Sequence, residues 1–201
     1  LLIHSQNQIL YGLNLREIER LFMFDSNKFK SENNYVIGWD IGGANVKAVS
    51  LNADGVVLQT LQLPCPLWRG IEHLQKTIEQ VLSEFNVTPN DVQHVITMTG
   101  ELVDLFPNRH TGVLEIAATL NRSLSFDSAN IAFYASKKGF VDLKEVSASS
   151  MNIASANWHA SASALASLAQ DALLIDIGST TTDIIPIQSG KVDISLSLIH
   201  I

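Results

Sequence analysis

One cysteine, Cys65, stands in 201 residues, which excludes an intramolecular disulfide framework and any multi-cysteine metal site. A reducing cytoplasm is the expected setting. Cations are scarce as well: 13 Lys and Arg against 20 Asp and Glu leave a net charge of -7. With no surplus of positive charge to neutralise a phosphate backbone, nucleic acid is not an expected partner. Any phosphate must be held locally, by backbone N–H groups and a metal ion. The six histidines show neither HxH nor HExxH spacing, so no zinc site is expected. No apolar run approaches the roughly 20 residues that span a bilayer. Residues 1–34 lack the charged-then-apolar layout of a signal peptide. No membrane partner is expected.

What is present fits a folded globular chain, 46% hydrophobic and 16% charged, with length for one sizeable core or two small ones. Residues 35–41 read as a strand buried on both faces and ending in Asp40. Residues 45–51 and 56–63 read as two further strands joined by an Asn52-Ala53-Asp54-Gly55 turn. Apolar positions Ile71, Leu74, Ile78, Val81, Leu82 and Phe85 form a helical stripe. A strand over 92–98 then runs into Thr99-Gly100-Glu101. Further on, 112–120 reads as helix, 129–135 as strand and 140–146 as a short ambiguous segment. The Ala- and Ser-rich stretch 152–170 reads as one helix, followed by strands over 172–177, 181–187 and 192–196.

The last block repeats the first. VIGWDIGGANVKAVSLNADGVV and ALLIDIGSTTTDIIPIQSGKV align without a gap through the second strand, so that Asp40 matches Asp176 and Lys47 matches Asp183. Apolar strand, Asp-Ile-Gly, small polar loop, apolar strand and Gly turn in one order indicate an internal duplication. The expected organisation is an extension outside the core (1–34), a first unit with the first hairpin (35–170), and the start of a second unit with the second hairpin (171–201). The second unit is expected to be cut short, with one face of its sheet wet, so that the chain is a fragment. Residues 197–201 are expected not to be native.

The first turn runs Asp40-Ile41-Gly42-Gly43-Ala44-Asn45. Adjacent glycines taking positive φ would turn successive N–H groups to one side as an anion nest. Asp40 either holds a hydrated magnesium ion or caps a simple tight turn. Lys47, on the face of Asn45, is placed to reach a phosphate oxygen. In the second loop, Gly178, Ser179, Thr180 and Thr181 follow Asp176 and offer N–H and hydroxyl donors. A Thr run also simply favours strand. Two such loops converging make a clamp on phosphate. Glu101, at the carboxyl edge of a strand, is either a general base or a holder of magnesium-bound water, or the first residue of a helix. Arg109 either clamps an anionic substrate or lies on a solvated face. Trp158 reads as a core aromatic, and His159 as a packed or exposed helix residue.

WDIGGANVKA, MTGEL with the downstream FPNRHTGV, and LIDIGSTTTDIIPI together resemble the hydantoinase/oxoprolinase-like branch of the actin-like ATPase superfamily of sugar kinases, Hsp70 and actin. More narrowly they are similar to the tetrahydromethanopterin-linked C1-transfer proteins, a group that includes a methanofuran-biosynthesis synthase. The resemblance covers residues 35 to about 187. It implies an α/β, actin-like (ribonuclease H-like) duplicated fold, with the first domain complete and the second truncated. It also implies a transferase that joins γ-glutamyltyramine to an aminomethylfuran carrying a diphosphate, with pyrophosphate leaving as the phenol becomes an ether. Glu101 and Asp40 would be catalytic, Asp40 and Asp176 would lie near Mg2+, and both hairpins would bind phosphate. The partners are then a small-molecule diphosphate and a phenolic acceptor. Two alternatives stay open. One is an ATP-hydrolysing hydantoinase/oxoprolinase-type subunit or small-molecule kinase, with ATP as the ligand. The other is a non-enzymatic, nucleotide-switched actin-like protein.

Met23, a dozen residues before the first strong strand, is the expected natural start, with residues 1–22 an upstream extension. Mass spectrometry of the natural N-terminus checks this, and a mature chain beginning before Met23 overturns it.

Overall fold

The apolar run near residue 35 becomes the centre of a sheet because both of its edges find partners. The computed structural model describes residues 35–124, 130–177 and 182–192. In it, β1 (Val36–Ile41) pairs antiparallel with β2 (Asn45–Leu51), which pairs antiparallel with β3 (Val57–Pro64). On its other edge β1 pairs in parallel with β4 (Gln93–Met98), which pairs in parallel with β5 (Ile131–Tyr134), and β6 (Phe140–Val141) closes the sheet antiparallel. The order β3-β2-β1-β4-β5-β6 is that of the actin-like, ribonuclease H-like α/β fold. The expected fold class holds on topology.

Between β3 and β4 lies α1 (Glu72–Phe85), and between β4 and β5 lies α2 (Arg109–Leu124). Strand alternation puts Ile37, Trp39 and Ile41 of β1 with Ile96 and Met98 of β4 on one face. There they are buried with Leu74 and Ile78 of α1 and Val113, Ile116 and Leu120 of α2. The helical stripe expected for α1 is the stripe that is buried. Helix α1 stops where Asn86 adopts φ 52 and its N–H reaches back to Leu82 O and Ser83 O, a left-handed cap. Helix α2 starts three residues earlier than its apolar periodicity indicates. The Asn108 carboxamide oxygen accepts the Thr111 N–H at 2.8 Å and caps the first turn.

The Ala-rich stretch is not one helix. Helix α3 (Val146–Ile153) ends, and α4 (Asn157–Leu168) begins after a three-residue joint. Ala154 leaves the helix to make a parallel bridge with Met98 at the end of β4, and Ser155 takes φ 52. Neither is compatible with a continuous helix. Composition favours helix throughout; a tertiary pairing overrides it in the middle.

Helix α4 covers the second face of the sheet. Ala156 and Ala164 pack on Tyr134, whose hydroxyl is 2.8 Å from His159 Nδ1. His159 is therefore a packed residue, whereas Trp158 is only half-buried. The same helix contacts β7 (Ala172–Ile177), β8 (Thr182–Gln188) and β9 (Lys191–Val192), which form a separate antiparallel sheet. Ile185 and Ile187 are buried, while Leu173 and Ile175 on the other face are 56% and 53% exposed. The wet sheet face expected from the sequence is present. So is the repeat: the pairs Asp40↔Lys47 and Ile41↔Val46 of the first hairpin recur as Asp176↔Asp183 and Ile177↔Thr182 in the second. Among the described residues no helix is long and apolar enough to cross a membrane.

One buried polar pair locks β1 to β4. Trp39 Nε1–H donates to His94 Nδ1 at 3.1 Å, and the opposite ring nitrogen donates to Pro89 O at 2.9 Å. The ring must be neutral, because a proton on Nδ1 would face the indole N–H. Burial accordingly lowers the His94 pKa from 6.5 to about 4. Between those values the unfolded chain binds a proton that the folded chain refuses, so stability falls as pH drops from 6.5 towards 4. The loss is up to about 3 kcal/mol. Glu101, described below, works in the opposite sense, so the comparison must be with a His94→Gln variant. Urea unfolding from pH 7 to pH 4 should show a steeper loss of stability for the wild type; parallel curves would refute the assignment.

Candidate functional site

The β1–β2 turn is fastened through its carbonyls, which leaves amides available. Gly43 O accepts the Leu67 N–H at 3.0 Å and Ala44 O accepts the Cys65 N–H at 2.8 Å. Gly42 N–H is used internally, donating to Asn45 O at 3.0 Å. The N–H groups of Gly43 and Ala44 have no acceptor among the described residues. The expectation of positive φ at the paired glycines is corrected, since neither Gly42 nor Gly43 adopts it. Space is the reason for glycine here. A Cβ on Gly42 would lie 2.8 Å from Asn45 O, and one on Gly43 2.6 Å from Val103 Cγ1. The nest thus reduces to two amides, with Gly42 closing the turn and Asn45, half-buried, opening β2.

Asp40 and Lys47 are cross-strand partners, and Lys47 Nζ donates to Asp40 Oδ2 at 3.2 Å. The lysine expected to reach a phosphate therefore rests on the carboxylate expected to hold a metal. Asp40 Oδ1 is buried without a hydrogen-bond partner. That orphaned oxygen fits magnesium, which keeps most of its waters and needs only one or two carboxylates. A protein cage is absent: no group of three His, Cys, Asp or Glu side chains occurs among the described residues.

The end of β4 brings a second acid beside this turn. Thr99 N–H donates to Ile41 O at 2.9 Å, and the chain then makes a single tight turn over Gly100–Leu102. Glu101 lies within this one-turn 3-10 helix, and the α-helix that follows, α2, starts only at Arg109. The Glu101 side chain is 0% exposed, with Arg109 Nη2 3.8 Å from Oε1. Ser155, from the joint between α3 and α4, donates its hydroxyl to Oε1 at 2.6 Å. Arg109 Nη2 in turn donates to Ser155 Oγ at 2.6 Å. Glu101 Oε2 is buried with no partner among the described residues. Burial pushes the Glu101 pKa up, against the Ser155 hydroxyl, the Glu101 backbone amide, the Arg109 charge and the Ser155 amide, which pull it down. A carboxyl so placed has an affinity for protons suited to acid–base work.

A model of the hydantoinase/oxoprolinase family matches residues 93–199, more than half of the chain. The chain belongs to the hydantoinase/oxoprolinase family. Within the wider group of relatives it is 29% identical over 159 residues to (4-{4-[2-(gamma-L-glutamylamino)ethyl]phenoxymethyl}furan-2-yl)methanamine synthase of Methanocaldococcus jannaschii. That match covers 78% of this chain and 44% of the synthase, so the chain spans less than half the length of this relative. Solved structures with partial likeness include the ethanolamine utilization protein EutJ of Carboxydothermus hydrogenoformans, at 16% identity and a TM-score of 0.44 over 89% of this chain and 58% of that one. Another is a Ppx/GppA protein of Aquifex aeolicus, at 15% identity and a TM-score of 0.42 over 82% of this chain and 50% of that one.

The matched region begins at β4 and includes Glu101, Arg109 and Ser155, but not the first hairpin. Of the residues singled out by sequence in this family member, Asp40, Gly42, Gly43, Ala44, Asn45 and Lys47 lie at one turn. Glu101 and Arg109 stand together at the adjacent end of β4. Asp176 is half-buried in β7, and no hydrogen bond or ion pair joins it to the first turn among the described residues. Gly178, Ser179, Thr180 and Thr181 lie outside the described residues. Ser155 was not anticipated, because nothing in an Ala/Ser-rich stretch distinguishes one serine from its neighbours. The only signal available was its place in a joint that composition conceals.

Gly112 sets how closely α2 approaches this carboxylate, since a Cβ there would lie 2.9 Å from both Cα and Cβ of Glu101. Gly112→Ala is expected to destabilise the fold by about 1–3 kcal/mol through overpacking. Urea denaturation checks this, and an unchanged midpoint would mean that the Glu101 turn yields freely.

Proposed function

We propose that the protein containing this chain is a transferase joining γ-glutamyltyramine to an aminomethylfuran diphosphate with release of pyrophosphate. The observation that carries this reading is the 29% identity over 159 residues to the synthase. Its name specifies a phenoxymethyl link between a phenol-derived ring and a furan methanamine. Forming that link requires a phenol to lose a proton and a leaving group to depart from the furan side.

The residues of the two loops and of the β4 end suit both needs. The amides of Gly43 and Ala44 hold diphosphate oxygens at the first turn, with Lys47 adding positive charge beside it. By residue type, the N–H and hydroxyl donors of Gly178, Ser179, Thr180 and Thr181 in the second loop suit the same group. Glu101, ionised, accepts the phenol proton, its basicity raised by burial. Arg109 keeps the Glu101–Ser155 pair in place rather than clamping substrate. Magnesium, held by Asp40 and Asp176 through carboxylate and water, would supply neutralising charge for the departing pyrophosphate.

A second reading has the family match itself in its favour. It is an ATP-hydrolysing subunit of hydantoinase/oxoprolinase type or a small-molecule kinase, with ATP phosphates at the same amides. A full-length protein that turns over ATP but ignores the furan diphosphate would select it over the first.

The clamp is tested by binding. Asp40→Asn and Asp176→Asn in the full-length protein should each weaken magnesium-dependent diphosphate binding by about 1–3 kcal/mol. Isothermal titration with unchanged affinity in both variants would remove the metal clamp.

A further inference from the structure

The Glu101 carboxylate cannot be reached directly, since its side chain is 0% exposed. Ser155, half-buried, stands between it and the exposed Arg109. A serine hydroxyl has one proton to donate and two lone pairs to accept with. The proton of Ser155 goes to Glu101 Oε1 at 2.6 Å, and one lone pair takes Arg109 Nη2–H at 2.6 Å. One lone pair is left. The position is also built rather than incidental. Ser155 holds φ 52, a left-handed conformation that is disfavoured for a non-glycine residue. The parallel bridge from Ala154 to Met98 fixes the joint against the strand that delivers Glu101.

We propose that Ser155 is a catalytic residue, the group through which an acceptor hydroxyl passes its proton to Glu101. This rests on the reading of Glu101 as the proton acceptor. The acceptor O–H bond breaks and its proton moves to Ser155 Oγ, while the Ser155 proton moves to Glu101 Oε1. Serine is regenerated and the carboxyl becomes neutral. The electron pair left on the acceptor oxygen forms the new bond to carbon, and the carbon–oxygen pair departs with pyrophosphate. Arg109, donating to Oγ throughout, stabilises the negative charge that builds there during transfer and holds the hydroxyl in line with Oε1. Any acceptor with an acidic O–H fits the free lone pair, and a phenol fits it well.

The test compares Ser155→Ala, Ser155→Gly, Ser155→Cys and Glu101→Gln in the full-length protein, with pyrophosphate release from an aminomethylfuran diphosphate and a phenolic acceptor as the readout. Ser155→Gly removes the hydroxyl while easing the left-handed backbone, so it keeps the test valid if the alanine variant folds poorly. The expected result is a loss in kcat of about 100-fold or more for Ser155→Ala, Ser155→Gly and Glu101→Gln. KM for the acceptor stays near the wild-type value, and part of the rate returns in Ser155→Cys, whose thiol can relay a proton. Full kcat in folded Ser155→Gly alongside a large loss in Glu101→Gln would overturn the relay, with Glu101 acting without Ser155. Full kcat in Glu101→Gln would overturn the reading of Glu101 and the relay with it.

Discussion

Burying a carboxylate without enough partners is among the less favourable things a fold can do, and the arrangement around Glu101 is organised by that cost. Desolvation raises its pKa, and one oxygen stays without a hydrogen bond. The other oxygen is held by a serine from a distant joint and faced by an arginine from the first turn of α2. To bring these together, α2 must approach closely, which requires Gly112, and the Ala-rich stretch must break, which puts Ser155 in a left-handed conformation. Strain of this kind persists where surrounding packing fixes it, and it gathers at functional sites.

The first hairpin is held by a complementary device. Its two turn carbonyls are tied to Cys65 and Leu67, and Ile41 O is tied to Thr99. Turn and acid therefore sit on one rigid frame, the adjacent ends of β1 and β4. Fixing the carbonyls while sparing two amides gives a donor pair that needs no reorganisation to meet an anion. Behind this edge, Trp39 and His94 join the same two strands in the core.

The second sheet repeats the first hairpin in the same register, and α4 serves both sheets. Alanine at the buried positions Ala162, Ala164 and Ala166 lets a helix lie close to strands on either side. An Ala-rich composition that reads as plain helix propensity is thus a packing requirement.

The hairpins, the Asn52–Gly55 turn and the stripe of α1 were legible by themselves, because each depends on residues close along the chain, and the duplicated register was legible because the same local pattern recurs. The fold class followed from the family resemblance carried by the same motifs. Asp40 and Glu101 were found because strand ends announce themselves by an apolar run that stops, and Lys47 because strand alternation puts it on the face of Asn45. What lay beyond reach is non-local. Gly42 and Gly43 are small to admit Asn45 O and Val103, and the break before α4 answers a strand 56 residues earlier, Met98 to Ala154. Arg109, Ser155 and Glu101 come together from three separate segments. Local pattern fixed which elements form and where their acids fall. Only tertiary packing decided which acid is buried and what reaches it, because burial and partnership belong to the assembled surfaces and to no single stretch of chain.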